Sequence, residues 1–280
     1  MANVAIKFIE NDKKEFVNVI NQLRIMKSTT SQQELKVTIQ SLEDAIVLYF
    51  DDDIKAALNE LENSTRLYDM LPKNTDKYDW LYEIKMIILE LYVKIYVDRD
   101  PKKALEYLEM IKNQVNIPKK TGTTEIRDYR HVVSSYYYMG LAHKNLNDIH
   151  SARGCYTAGV GMLKILIPRG WIVDLDMCLR LYYVAGKSFI GIDDSCSVLS
   201  YSAALDLFHK FFEKWKQGIR TVPITESTCK LCIANGEALL ELFEKNGNVE
   251  GAKDLKSDIK FLYDLSKKCN KLSVNRHKGF

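Results

Sequence analysis

One turn signal recurs along the whole chain and constrains its fold more than any other feature. A helix breaker is followed by a residue able to cap a helix and then, four places on, by alanine. The pairs are Asp53 and Ala57, Asp100 and Ala104, Asp148 and Ala152, Ser200 and Ala204, and Asn248 and Ala252. The alanines stand 47, 48, 52 and 48 residues apart. Asp, Ser and Asn side chains accept hydrogen bonds from the free N–H groups at a helix start. Pro101 follows Asp100 at the first helical position, where its missing N–H costs nothing. Such regularity predicts a repeat of helical hairpins, each packed on its neighbours.

Prolines punctuate the same units. Pro72, Pro118, Pro168 and Pro223 follow the first four alanines by 15, 14, 16 and 19 residues, marking the exit from each second helix. Between these marks apolar residues recur at helical spacing, as in Ala104, Leu105, Leu108 and Ile111. Five hairpins are therefore expected, at about 34–71, 78–117, 127–167, 174–219 and 226–269, after an N-terminal helix over residues 12–27. The 52-residue interval predicts a longer turn near Gly191 to Ser202. Lys73 to Lys77 and the KKTGTT stretch Lys119 to Thr124 read as polar connectors inside one domain of 280 residues, and 270–280 as a basic tail.

The clearest unit is Tyr136 to Lys164. Tyr136, Met139, Gly140 and His143 share one face of its first helix, and Ala152, Tyr156, Gly159 and Leu163 share one face of its second. Gly140 and Ala152 are small enough to bring the two backbones to roughly 8–9 Å. With 13 Gly and 5 Pro in the whole chain, an all-β fold with many tight turns is disfavoured.

The residues Tyr136, Met139, Gly140, His143, Ala152, Tyr156 and Gly159 resemble the tetratricopeptide repeat. Tyr182, Ala185, Gly186, Phe189, Ala204 and Phe208 resemble it in part. The resemblance implies an all-α, right-handed α-solenoid with longer helices than usual, binding a peptide or partner protein in a concave groove lined by first helices. Carried over residue by residue, it implies groove positions at Tyr137, Leu141, Lys144 and Asn145, then Arg180, Tyr183 and Lys187. Aromatic rings, cations and an amide suit an extended acidic peptide or a chain carboxylate. Glu237, Glu241 and Glu244 would continue that face with opposite sign.

Other chemistry is outweighed by structural readings. Cys229 and Cys232 form a C-x-x-C without a second pair or a histidine at zinc spacing, so buried thiols are expected. Gly186-Lys187-Ser188 resembles the end of a phosphate-binding loop but lies inside a helix, with Leu181 where the first glycine belongs. Asp51 to Asp53, and Asn147, Asp148 and Ser151, are similar to the aspartate-rich motifs of all-helical, magnesium-dependent terpenoid synthases. Lys55 and Cys155 stand where acidic ligands belong, and both segments read as turns and caps. With 40 basic and 37 acidic residues, RNA or another phosphate-rich ligand is neither demanded nor excluded.

No signal peptide opens the chain, and the apolar stretch Ile84 to Val97 carries Lys85, Glu90 and Lys94, which disfavours a membrane span. Six scattered cysteines fit a reducing compartment, the cytoplasm with the nucleus as alternative. The expectation is a non-catalytic adaptor, scaffold or subunit of a larger complex, with no cofactor and no metal.

Overall fold

A computed structural model describes residues 17, 19–72, 78–114, 126–168, 174–219 and 224–277, without the side chains of 78–79, 126–130 and 270–277. Among the described residues every regular element is a helix, and no strand occurs. The chain divides into two compact units, Met1–Asn116 and Ile117–Phe280. The division falls beside the KKTGTT segment read as a connector within a single domain. That segment, Lys73 to Lys77, Pro118, Pro223, residues 12–16 and the tail side chains lie outside the described residues.

In the first unit a helical run over 19–29 (α1) precedes α2 (Gln33–Phe50), α3 (Ile54–Met70), α4 (Tyr78–Tyr96) and α5 (Pro101–Gln114). Helix α2 packs on α3, α4 packs on α5, and α4 also touches α2 and α3. Its core is aliphatic, with Leu23, Ile39, Leu42, Ile46, Leu61, Ile84 and Leu91 all buried. Helix α4 is apolar on nearly every side and is buried accordingly, from Leu81 to Ile95.

The second unit holds α6 (Ile126–Asn145), α7 (Ile149–Leu166), α8 (Leu175–Phe189), α9 (Asp194–Lys216), α10 (Glu226–Lys245) and α11 (Val249–His277). Successive pairs α6–α7, α8–α9 and α10–α11 form hairpins, and α8 also packs against α6, α7 and α10. The last helix continues to His277, into the stretch 270–280 read as a basic tail.

All five turns are short. Those at 51–53, 146–148 and 246–248 share one geometry. Asp52, Asn147 and Gly247 take left-handed backbone at φ 62°, 61° and 70°. The next N–H reaches back to the carbonyl of Leu48, His143 or Phe243, which ties off the ending helix. That same next residue caps the following helix: Asp53 accepts from the Ala56 N–H, Asp148 from Ser151 and Asn248 from Gly251. Asp100 likewise accepts from Lys103.

The fourth turn departs from the expected one. Its cap is Asp193, whose carboxylate accepts from the N–H groups of Ser195 and Cys196. Ser200 lies inside α9 and donates to the Cys196 carbonyl. The turn spans four residues, 190–193, as many as 97–100 and one more than the other three, and most of the extra residues belong to α9, which runs for 23. Alanine spacing does not reveal this cap, because Ser197 fills the place four residues after it. Ser197 is fully buried and donates to the Gly186 carbonyl at 2.9 Å. A small buried residue thus stands four places after every cap: Ala57, Ala104, Ala152, Ser197 and Ala252.

Eight places after the caps stand Leu61, Leu108, Tyr156, Tyr201 and Lys256. The two tyrosines are buried, and each lies against a glycine of the facing helix. A methyl group on Gly140 would run into the Tyr156 ring, and one on Gly186 would come within 2.7 Å of the Tyr201 ring. Close packing leaves no slack for it.

Candidate binding face

The first helices of the second unit's hairpins carry the residues expected to bind. Helix α8 is held to α10 by specific bonds. Ser227 donates to Asp176 at 2.7 Å, and the buried Asn235 amide donates to the Leu179 carbonyl at 3.2 Å. Arg153 of α7 donates to the Ser188 carbonyl at 3.1 Å and lies 5.5 Å over the Phe189 ring, fixing the end of α8.

On this scaffold the seven candidate side chains separate. Tyr137 keeps 6% of its surface and sets its ring edge-on to Tyr138 at 5.1 Å; Arg180 keeps 8%. Both are drawn into the packing and leave the open face, because α6 and α8 are covered by neighbours on more sides than an amphipathic pattern implies. Leu141 is half-buried. Lys144 and Asn145 are exposed on the last turn of α6, beside the cap that starts α7. Tyr183 is half-buried and Lys187 exposed, with the ammonium 5.8 Å over the Tyr183 ring.

Helix α10 brings carboxylates to Tyr183. Burial raises the Tyr183 hydroxyl above its ordinary range, and Glu241 and then Glu237 raise it further. Glu237 accepts from the Tyr263 hydroxyl at 2.7 Å, so α11 also reaches this face. Glu244 turns away into an ion pair with Lys256 at 2.8 Å. Lys245 holds Asp194 at 2.8 Å, and that bond keeps the Asp194 carboxyl below its usual range. The structure thus sets Lys187 over the Tyr183 ring and brings Glu237 and Glu241 within electrostatic reach of its hydroxyl. Tyr263 was missed in the sequence because its role depends on the α10–α11 register, which no local pattern encodes.

The remaining motifs lie within packed helices and turns. Cys229 and Cys232 are buried, and burial pushes the Cys229 thiol up to about 12 and Cys232 well above its ordinary value. Gly186-Lys187-Ser188 lies within α8, where Ser188 donates to the Ala185 carbonyl. Asp51 to Asp53 and Asn147 to Ser151 are the hairpin turns already described. Among the described residues no group of three or more His, Cys, Asp or Glu could hold a metal ion, and no helix is long and apolar enough to cross a membrane.

Compared with known proteins, the chain matches no protein-family model and no curated protein. Among solved structures it is similar to BtubC (BKLC) from P. vanneervenii. The likeness has 14% identity and a TM-score of 0.56, and covers 92% of either chain. At that identity it is a likeness of fold.

Proposed function

We propose that the chain is a non-catalytic interaction module, an adaptor, scaffold or subunit of a larger assembly, built as a divergent tetratricopeptide-like, right-handed α-solenoid. It binds a peptide or partner protein along its first helices. The observation that carries this reading is the contact of first helix with first helix: α2 with α4 in one unit, and α8 with both α6 and α10 in the other. Hairpins stacked in this way present a continuous layer of helices to a partner. The mixed charge around Tyr183 suits a polypeptide, whose side chains carry both signs and whose backbone accepts and donates. Glu237 and Glu241 repel phosphate, so RNA or another phosphate-rich ligand fits this face less well.

The test is affinity capture with the full chain, followed by reconstitution from the purified partner. Tyr183→Ala with Lys187→Glu should weaken the reconstituted complex at least tenfold while the helical spectrum is kept. Retention of an RNA with affinity falling steeply in salt would overturn the reading in favour of phosphate binding. Turnover of a small substrate would overturn it in favour of an enzyme.

A further inference from the structure

The geometry points to Cys229 and Cys269 as a thiol pair that closes into a disulfide between α10 and α11 when the chain meets a low-molecular-weight disulfide. Neither residue has a role in the binding face described above. Three contacts set the antiparallel register of these helices. Glu244 pairs with Lys256, Glu237 accepts from Tyr263, and a methyl group on Gly236 would lie 3.0 Å from Ile259. Followed onward, the buried stripe of α11 runs through Leu262, Leu265 and Ser266 to Cys269, while that of α10 runs back through Cys232 to Cys229. The two stripes bring the thiols to the same level. The Cys229 and Cys269 thiols perturb one another electrostatically, and the Cys269 sulfur lies 3.9 Å from the Ile224 carbonyl just before α10.

Exposure differs across the pair and sets the order of reaction. Cys229 is fully buried, whereas Cys269 is partly open to solvent. The Cys269 thiolate attacks one sulfur of the small disulfide RSSR, forming a mixed disulfide and expelling RS⁻. The Cys229 thiolate then attacks the Cys269 sulfur and expels the second RS⁻. The two thiol protons end on two RSH, so the protein loses a pair of electrons and RSSR gains them. Burial raises both thiols, so the reduced pair is quiet at neutral pH and reacts faster in mild alkali. The cross-link would tether the far part of α11 to the beginning of α10.

The test treats the full chain with oxidised glutathione near pH 8.5, where more thiolate is present. The expected result is loss of two titratable thiols, an intact mass lower by a pair of hydrogens, and a peptide joining Cys229 to Cys269. The thermal midpoint should rise and return on reduction. Cys229→Ser should stop at a glutathione adduct on Cys269. Cys269→Ser, at a partly exposed position, should leave Cys229 unmodified. A stable adduct on Cys269 in the unaltered chain, an unmodified Cys269, or a cross-link through Cys232 would each overturn the proposal.

Discussion

The hairpins α2–α3 and α6–α7 share a three-residue turn, an aspartate cap and a buried alanine four places on, yet their helices meet in different ways. In α2–α3 hydroxyls and an amide do the joining. Ser41 donates to the Glu60 carbonyl and carboxylate at 3.0 and 2.9 Å, and Asn63 donates to Ser41 at 3.2 Å. The fully buried Ser64 donates to the Thr38 carbonyl at 3.3 Å. In α6–α7 a ring and a notch do it, with Tyr156 seated against Gly140 and the backbone of Gly159 close to Tyr136. The difference traces to the eighth residue after the cap, Leu61 in one hairpin and Tyr156 in the other. A large ring at that place needs a facing residue without a side chain, while a leucine leaves the seam to small polar groups.

Breaking the notch should have the largest effect. Gly140→Ala should destabilise the chain by about 1–3 kcal/mol through overpacking, read by chemical denaturation. Gly140→Ala combined with Tyr156→Leu should recover part of that loss. If the single variant unfolds at the same denaturant concentration as the parent, the ring does not need the glycine. On the other side of the comparison, Ser64→Ala should cost about 0.5–1.5 kcal/mol, the net worth of one buried hydrogen bond.

The caps sharpen the comparison through pH. Hydrogen bonds from Ser195 and Cys196 hold the Asp193 carboxyl below its usual range, and bonds from Ser151 do the same for Asp148. A depressed carboxyl contributes stability above its unfolded pKa and loses it as pH falls through the folded value. Thermal midpoints should therefore decline below about pH 4, the ordinary aspartate range. Asp193→Ala should lower the midpoint at neutral pH. Asp193→Asn should retain the cap and flatten the acid limb. A parallel decline in parent and Asn variant would remove Asp193 from the account. The smallest effect belongs to the left-handed turn positions. Asp52→Gly and Asn147→Gly should each raise stability by a few tenths of a kcal/mol, since glycine takes that backbone without strain.

The turns were legible because a cap and its amide lie within three residues of each other. Four of the five caps follow directly, and the expected hairpin 34–71 differs from α2–α3 by one residue at either end. Asp193 was hidden because its fourth residue is Ser197, whose size matters to packing but whose letter differs from alanine. The candidate face was less legible. Helical spacing places Tyr137 and Tyr183 on first helices, but which of them stays open depends on neighbours distant in the chain.

Helix type and four of the five turns with their caps were therefore determined by the sequence itself, since each rests on hydrogen bonds and backbone preferences spanning a few residues. Only the tertiary structure decided that Tyr156 and Tyr201 would sit against Gly140 and Gly186, that Tyr137 and Arg180 would be covered, and that Glu237 and Glu241 would come within electrostatic reach of Tyr183. Those outcomes depend on the register and neighbours of whole helices, where close packing, acting between residues far apart in the chain, selects one arrangement among many that local patterns allow.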